Sequence, residues 1–327
     1  MKISIIIPVY NASATLPACL ASLESQTYKE MEWLFVDDSS TDESLNILKT
    51  YQKRHPELAN IIKILHHEYN RGVAAARNTA LEHATGEYVY YVDADDTLCP
   101  DAVELMVNEA HATDSDIVGI EWYLTFKSNQ RYMKQADYTT PIEALQNMMC
   151  GVMRWNLWLF LVKRSLYIKN DIRFTEGMDM GEDMMVMTKL FVCAKKVSLI
   201  HRPLYQYRQN NENSLTKTYS QEHIRQVTHN VYEAERFIQN SSYAVTLSSY
   251  TPFLKLNIKL PLLITDNIMH YKQWLAWFPE ANAYAMRNRR LPLRTRLIQR
   301  AATLRYFGLL RLYYCFVFKF RYGIIYK

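Results

Sequence analysis

A chain of 327 residues that is 49% hydrophobic and 22% charged can bury a full core and is not a disordered polymer. Its formal charge of +5 is uneven: no acid follows Glu280, eleven basic residues lie between Arg287 and Lys327, and residues 1–280 carry a net −6. That distribution excludes a uniformly basic nucleic-acid binder, while five scattered cysteines without a C-x-x-C pair argue against a disulfide framework or zinc site and for the reducing cytoplasm.

Lys2 to Ile7 opens the chain as a strand with too few apolar residues for a secretory signal, so nothing there argues for export. The run ends at Pro8. A helix follows with Leu16, Leu20 and Leu23 on one face, Ser13 or Thr15 as its cap and Pro17 in its first turn. Trp33–Val36 predicts a second strand ending at Asp37 and Asp38, and Ser40 with Glu43 reads as the capping box of a helix carrying Leu45, Leu48 and Tyr51. Ile61–Leu65 predicts a third strand, followed by an alanine-rich helix from Gly72 to Ala84 with Gly86 as its left-handed cap. Glu87–Val92 is a fourth strand, a helix runs from Pro100 to about Ala112, and the extended segment Asp116–Glu121 comes next. This alternation predicts an α/β fold whose mainly parallel sheet is covered on both faces, with ligands beyond the carboxyl ends of the strands.

Three of those strand ends carry polar clusters: Pro8-Val9-Tyr10-Asn11, Asp37-Asp38-Ser39-Ser40 and Asp93-Ala94-Asp95-Asp96. Three clusters in register read as one site. Asp93, Asp95 and Asp96 repel one another unless a cation or donor network lies among them, and Mg²⁺ or Mn²⁺ would compensate them through oxygen ligands while leaving positions for phosphate. The alternative for Asp96 is a capping role, since Thr97 and Pro100 also suit a helix start.

Beyond Thr140 the pattern changes. Thr140-Pro141 opens a helix ending near Gly151, a tryptophan-rich stretch covers Trp155–Leu161, and Gly181-Glu182-Asp183 starts a helix that buries Val186, Leu190, Phe191 and Ala194. Extended pieces follow at Val197–Ile200 and Leu204–Arg208, then long helices at roughly Ser220–Asn240 and Leu254–Met269.

Across about its first 210 residues the chain resembles glycosyltransferase family 2, the inverting, bacterial surface-glycan type with the GT-A fold. The elements that carry the resemblance are Ile5-Ile6-Ile7-Pro8-Val9-Tyr10-Asn11, Val36-Asp37-Asp38-Ser39-Ser40-Thr41-Asp42, Asn70-Arg71-Gly72 through Arg77-Asn78, and Val92-Asp93-Ala94-Asp95-Asp96. The resemblance implies transfer of a sugar from a nucleotide diphosphate donor, a UDP-sugar, to an acceptor hydroxyl. It implies that Pro8, Val9 and Tyr10 hold a pyrimidine, that Asp38 accepts from the uracil imide, that Asp93 and Ala94 border the nucleotide, and that Asp95, with Asp93, holds the metal. Gly72 would admit the nucleotide closely, and Arg77 would support the acidic strand ends or the phosphate, with a structural ion pair between helix and sheet as the alternative. Glu182 and Asp183 match the family's acidic pair, with Asp183 as the base; a helix N-terminus favours the ionised carboxylate a base needs, though capping acids also occur there. Tyr205-Gln206-Tyr207-Arg208 and Ser214 match a further element in which Arg208 clamps the diphosphate. One departure is Phe160 in Trp158-Leu159-Phe160-Leu161, where relatives carry lysine, which suggests a more apolar acceptor pocket; Trp155 and Trp158 are candidates to stack on the acceptor sugar.

These readings divide the chain into a catalytic domain at 1–215, with nucleotide-sugar (1–120) and acceptor (121–215) halves, and a helical region at 216–327 with a basic aromatic tail from about 287. The tail's apolar run Leu309–Phe318 is too short to span a bilayer, so the tail reads as lying on an anionic membrane surface, bringing a peripheral enzyme at the inner face of the cell membrane to a glycan or lipid-linked acceptor. The alternative is packing on protein. Two rival functions are a nucleotidyltransferase, disfavoured because Pro8–Thr15 has no glycine or basic residue, and a membrane module that binds nucleotide without turnover.

Overall fold

A computed structural model of the chain describes residues 1–126, 128–209 and 220–317; Ser214 and the tail residues from 318 onward lie outside the described residues. The chain divides into two compact units, Met1–Ala144 with Trp155–Phe237, and Leu145–Arg154 with Ile238–Lys327.

The first unit holds a sheet of β1 (Ile3–Val9), β2 (Met31–Asp37), β3 (Ile62–His66), β4 (Tyr88–Tyr91), β5 (Thr97–Leu98), β6 (Ile117–Thr125), β7 (Gln130–Met133), β8 (Phe160–Lys163) and β9 (Val197–Arg208). Their order is β3-β2-β1-β4-β8-β6-β9-β5, with β7 paired to β6. Strands β3, β2, β1 and β4 pair in parallel; β8 is antiparallel to both β4 and β6; β9 runs parallel to β6. Its helices are α1 (Leu16–Glu24), α2 (Ser44–Arg54), α3 (Val73–His83), α4 (Ala102–Thr113), α6 (Arg164–Lys169), α7 (Glu182–Cys193) and α8 (Gln221–Gln239); α5 (Pro141–Met149) runs from the first unit into the second. This is the expected α/β architecture. Ile3, Ile5, Ile6 and Ile7 are buried on both faces of β1, as a central parallel strand requires. The small side chains Ala74, Ala75, Ala76 and Ala80 let α3 lie close on the sheet.

Four local expectations do not hold. Ser40 and Glu43 form no capping box: α2 begins at Ser44, whose N–H donates to Asp42 Oδ1 at 2.9 Å, and Ser40 Oγ instead accepts from Asn11 N at 3.1 Å. Gly86 is not a left-handed cap, because α3 ends on an extended Ala84. Its role is close approach, since a Cβ there would fall 2.6 Å from Ser4 N on β1. The two extended pieces after residue 196 are one strand, β9, interrupted by register shifts opposite Ile120–Trp122, where Pro203 pairs with Glu121. A proline cannot donate to the ladder, which is why the pattern reads as broken. The long helix expected at 254–269 is two, α10 (Thr251–Lys259) and α11 (Ile268–Ala276), because Pro261 cannot continue a helix and forms a 3₁₀ turn.

Besides these, the second unit contains α9 (Ala244–Ser248), α12 (Leu293–Thr303) and α13 (Phe307–Tyr313). Its interior is organised by Lys259, fully buried, whose Nζ donates to Trp277 O and Asn282 Oδ1, each at 2.6 Å, and to Trp274 O at 3.1 Å. Among the described residues no helix is long and apolar enough to cross a membrane.

One buried carboxylate ties the amino-terminal edge of the parallel sheet together. Glu32 on β2 accepts from Ser4 Oγ at 2.6 Å, Thr85 N at 2.6 Å, Lys63 Nζ at 2.9 Å and Lys2 Nζ at 3.0 Å. Burial alone would raise its pKa, but these donors outweigh it and hold the carboxyl well below the usual range. A depressed folded-state pKa stabilises above the unfolded value, about 4.3, and that stabilisation is lost as pH falls below it. Glu32→Gln is expected to lower stability at pH 7 by about 1–3 kcal/mol in urea denaturation, with the gap to the unaltered protein narrowing below about pH 4.

Candidate active site

The polar ends of β2, β1 and β4 are neighbours, because those strands are adjacent in the sheet. Backbone bonds close the junction: Asp38 N donates to Val9 O at 2.8 Å, and Thr15 Oγ1 at the start of α1 donates to Ala94 O at 3.1 Å. Thr15 is the N-cap residue of α1, yet its hydroxyl serves this link and makes no capping bond. Tyr10, next along the chain, is 52% exposed, and Pro8 is partly buried beside it.

Asp38 is almost fully buried and is mainly a pin for the loop between β3 and α3. Its Oδ1 accepts from Arg71 N at 2.9 Å and meets His67 Nδ1 at 2.6 Å, while Oδ2 accepts from Gly72 N at 2.8 Å. His67 Nδ1 therefore carries the proton, and Nε2 faces the Thr79 hydroxyl at 2.9 Å. Gly72 sits at φ +89°, and a Cβ there would fall 2.2 Å from Asp179 Oδ2, so the close approach at this glycine is to Asp179. Asp179 Oδ1 in turn accepts from Ala74 N at 2.9 Å, at the amino end of α3.

Arg77, on α3, is 4% exposed and gathers three carboxylates. Its Nη1 donates to Glu182 Oε1 at 2.5 Å and Asp183 Oδ1 at 2.8 Å, and Nη2 lies 3.5 Å from Asp93 Oδ1. The rings of Phe174 and Tyr91 lie 5.6 and 6.0 Å from its guanidinium carbon. Arg77 thus pairs a helix with both the acidic strand end and, more closely, the start of α7. Glu182 and Asp183 open α7 after Gly181, and Asp183 Oδ2 also faces Leu157 N at 3.4 Å.

One guanidinium does not neutralise this cluster. Burial, with the charges of Asp95 and Asp183, raises the Asp93 carboxyl to about 7 against the opposing pull of Arg77. Burial and the Asp183 charge likewise raise Glu182 well above the usual carboxylate range. Asp96 is raised too, by burial and then by Asp95 and Asp93. Its position decides the capping question. Asp96 does not cap α4, whose N-cap is Asp101; it is fully buried, with Tyr205 Oη donating to Oδ2 at 2.8 Å and Arg208 N donating to Oδ1 at 2.7 Å. It thereby fastens the acidic loop to β9. Arg208 thus enters the site through its backbone N–H, while its side chain is only partly buried.

Asp95 and Asp93 are the two partly exposed carboxylates of the loop, flanking the buried Ala94. Among the described residues no three His, Cys, Asp or Glu side chains gather as a closed metal cage. One or two carboxylates beside excess negative charge is the donor set of an ion that shares its shell with phosphates and water, so these residues fit Mg²⁺ or Mn²⁺.

The tryptophans differ. Trp158 is buried, stacked on Tyr205 at 4.4 Å and Tyr207 at 5.3 Å, whereas Trp155 is only partly buried. Phe160 is fully buried against Phe191, so its apolar ring serves the core and not an acceptor pocket. Residues that sequence reasoning missed hold the loop leading to Glu182. Asn78 exchanges two hydrogen bonds with the backbone of Phe174, and Arg71 pairs with Glu176 at 3.0 Å. Asn230 on α8 donates to Met178 O and Met180 O, both at 2.9 Å. A signal existed for Asn230: it stands on the face of α8 that otherwise buries Val227, Val231 and Ala234.

Residues 4–184 match the family model "Glycosyl transferase family 2". The chain belongs to glycosyltransferase family 2. It is 31% identical over 222 residues to the uncharacterized glycosyltransferase EpsJ of Bacillus subtilis, covering 66% of this chain and 63% of that protein. It is 32% identical over 206 residues to the poly(ribitol-phosphate) beta-glucosyltransferase of Bacillus spizizenii, covering 61% of this chain and 31% of the other. The chain thus spans less than two thirds of the length of each of these two relatives. Among solved structures, S. aureus TarS 1-349 in complex with UDP-GlcNAc superposes with a TM-score of 0.71 at 20% identity, over 99% of this chain and 92% of that one. The likeness identifies the fold as GT-A.

Removing the charge of Arg77 would leave its buried carboxylates facing one another. Arg77→Gln is expected to destabilise the protein by about 3–5 kcal/mol at pH 7 in urea denaturation. An unchanged midpoint would show that the cluster is relieved by some other route.

Proposed function

We propose that this chain is an inverting, metal-dependent glycosyltransferase that moves a hexosyl or N-acetylhexosaminyl group from a UDP-sugar to a hydroxyl of a glycan or lipid-linked glycan in surface-polysaccharide biosynthesis. One observation carries the reading. Arg77 joins the acidic strand end, suited to a diphosphate and its cation, to the acidic pair at the start of α7, suited to an acceptor hydroxyl. The family match, the relative named for glucosyl transfer to poly(ribitol-phosphate), and the TarS structure with UDP-GlcNAc support it. Five free cysteines suit a reducing compartment, and a lipid-linked acceptor would be met at the inner face of the cell membrane.

In this reading Tyr10 stacks on the uracil beside Pro8 and Val9, and Asp38 accepts its imide N–H. Asp95 and Asp93 hold the divalent ion, which when bound offsets negative charge on the departing diphosphate. Ala94 borders the ribose, and Arg208 faces the diphosphate. Asp183 accepts the proton of the acceptor hydroxyl as its oxygen bonds to the anomeric carbon from the face opposite the leaving group. The anomeric carbon–phosphate oxygen bond breaks with its electron pair leaving on UDP, so the configuration inverts. Arg77 and Leu157 N orient the Asp183 carboxylate, and Glu182 completes the buried pair. Trp155, the more accessible of the two candidate tryptophans, is available to an acceptor sugar.

A UDP-release assay across a panel of nucleotide-sugars, with Mg²⁺, Mn²⁺ or EDTA, tests the reaction class and the donor. Asp95→Ala is expected to abolish the metal-stimulated part of donor hydrolysis. Asp183→Asn is expected to lower transfer by about a hundredfold or more while UDP affinity is kept; full transfer by that variant would sink the base assignment.

A further inference from the structure

The second unit has a charge and surface that the proposed reaction does not explain. Residues 145–154 and 238–327 together hold 15 basic and only two acidic side chains, Asp266 and Glu280, a net of +13. Glu280 is already paired with Lys255 at 3.0 Å. Of the sixteen large apolar side chains that are exposed among the described residues, seven fall within the 24 residues from Leu293 to Phe316. Solvated helices normally place polar residues outward, so this concentration marks a surface that meets something apolar.

The helices explain how both features share one face. On α12 the inward side chains are Ile298, Gln299 and Ala302, which leaves Leu293, Leu297 and, at its end, Leu304 outward together with Arg294 and Arg300. On α13 only Leu310 is buried, and Leu309, Arg311 and Leu312 face out, followed by Phe316. Between the helices lies a cleft of about 410 Å³ lined by Leu297, Ala301, Leu304, Leu309 and Tyr313, with Arg294 and Arg300 among its walls. At 11 and 7 residues the helices are far too short to span a bilayer. Leucines and arginines alternating over one short helical hairpin are the pattern of an interfacial anchor, apolar groups entering the acyl boundary while guanidinium groups meet phosphate.

We propose that the α12–α13 hairpin docks on an anionic lipid bilayer surface. Charge complementarity selects this occupant. A second copy of the chain would bring two arginine-rich faces together, and the remaining tail residues, with Lys319, Arg321 and Lys327 and no acid, carry the same sign. The hairpin deepens the proposed function by supplying a route to a lipid-linked acceptor, and rests on that reading only for its purpose.

The test is sedimentation of the full chain with phosphatidylcholine vesicles, with and without phosphatidylglycerol, at low and high salt. Binding is expected only with phosphatidylglycerol and is expected to weaken in high salt. Neutralising Arg294, Arg300 and Arg311 to Gln together should reduce affinity on the order of a hundredfold. Replacing Leu297, Leu309 and Leu312 by Ser should reduce it at least as much. Because these side chains are exposed, circular dichroism and UDP-sugar hydrolysis by both variants should match the unaltered protein. Absence of binding to anionic vesicles, or binding unaffected by both triple variants, overturns the proposal. Leucine-dependent self-association, or capture of an acidic protein without vesicle binding, also overturns it, in favour of that other partner. Vesicle binding by a protein that hydrolyses no nucleotide-sugar would refute the transferase reading and leave the docking surface standing.

Discussion

A single buried guanidinium holds the first unit's chemistry together. Arg77 stands on a helix that can lie against the sheet only because its neighbours are alanines, and from there it reaches Glu182, Asp183 and Asp93. Each of those carboxylates would be expensive to bury alone. Together they still exceed the positive charge available, which is why burial keeps the Asp93 and Glu182 carboxyls above the usual carboxylate range. Such a cluster is stable enough to be preformed and unsatisfied enough to favour a cation or a charged ligand.

The loops around this centre are fixed by side chains aimed at backbone. Asp38 secures the turn before α3, Asp96 fastens the acidic loop to β9, and Asp179 and Asn230 hold the segment that leads into Glu182 from opposite sides. Three of these four are acids that could be mistaken for ligands on composition alone. Each accepts from N–H or O–H donors of neighbouring segments and so fixes loop geometry, whatever ligand contact it also makes. Asp95 and Asp183 differ from them in remaining partly exposed.

Charge is partitioned between the two units with the same economy. The second unit carries +13, which leaves −8 for the first, and the two numbers describe different tasks. The acidic site proposed to take a cation–diphosphate pair lies in the negative unit. Exposed leucines set among arginines lie in the positive one, where an anionic bilayer would find both an apolar and an ionic partner.

Much of this was legible in the chain itself. Burial periodicity located the strands and helices of the first 120 residues, and the acidic ends of β2 and β4 with the start of α7 marked the candidate site, because those signals are local. The signals that misled were local too: the Ser40–Glu43 spacing suggested a capping box where Asp42 instead accepts from Ser44 N, and Asp96 looked like a cap although β9 claims it. Sequence alone thus determined which side chains stand at the strand ends and that the tail is basic and apolar at once. Only the tertiary structure decided that Arg77 joins Asp93 to Glu182 and Asp183 across about a hundred residues, that Trp158 belongs to an aromatic stack, and that the leucines of α12 and α13 face outward. Those contacts depend on which strands are neighbours and which helix faces are covered, and no spacing within one segment encodes either.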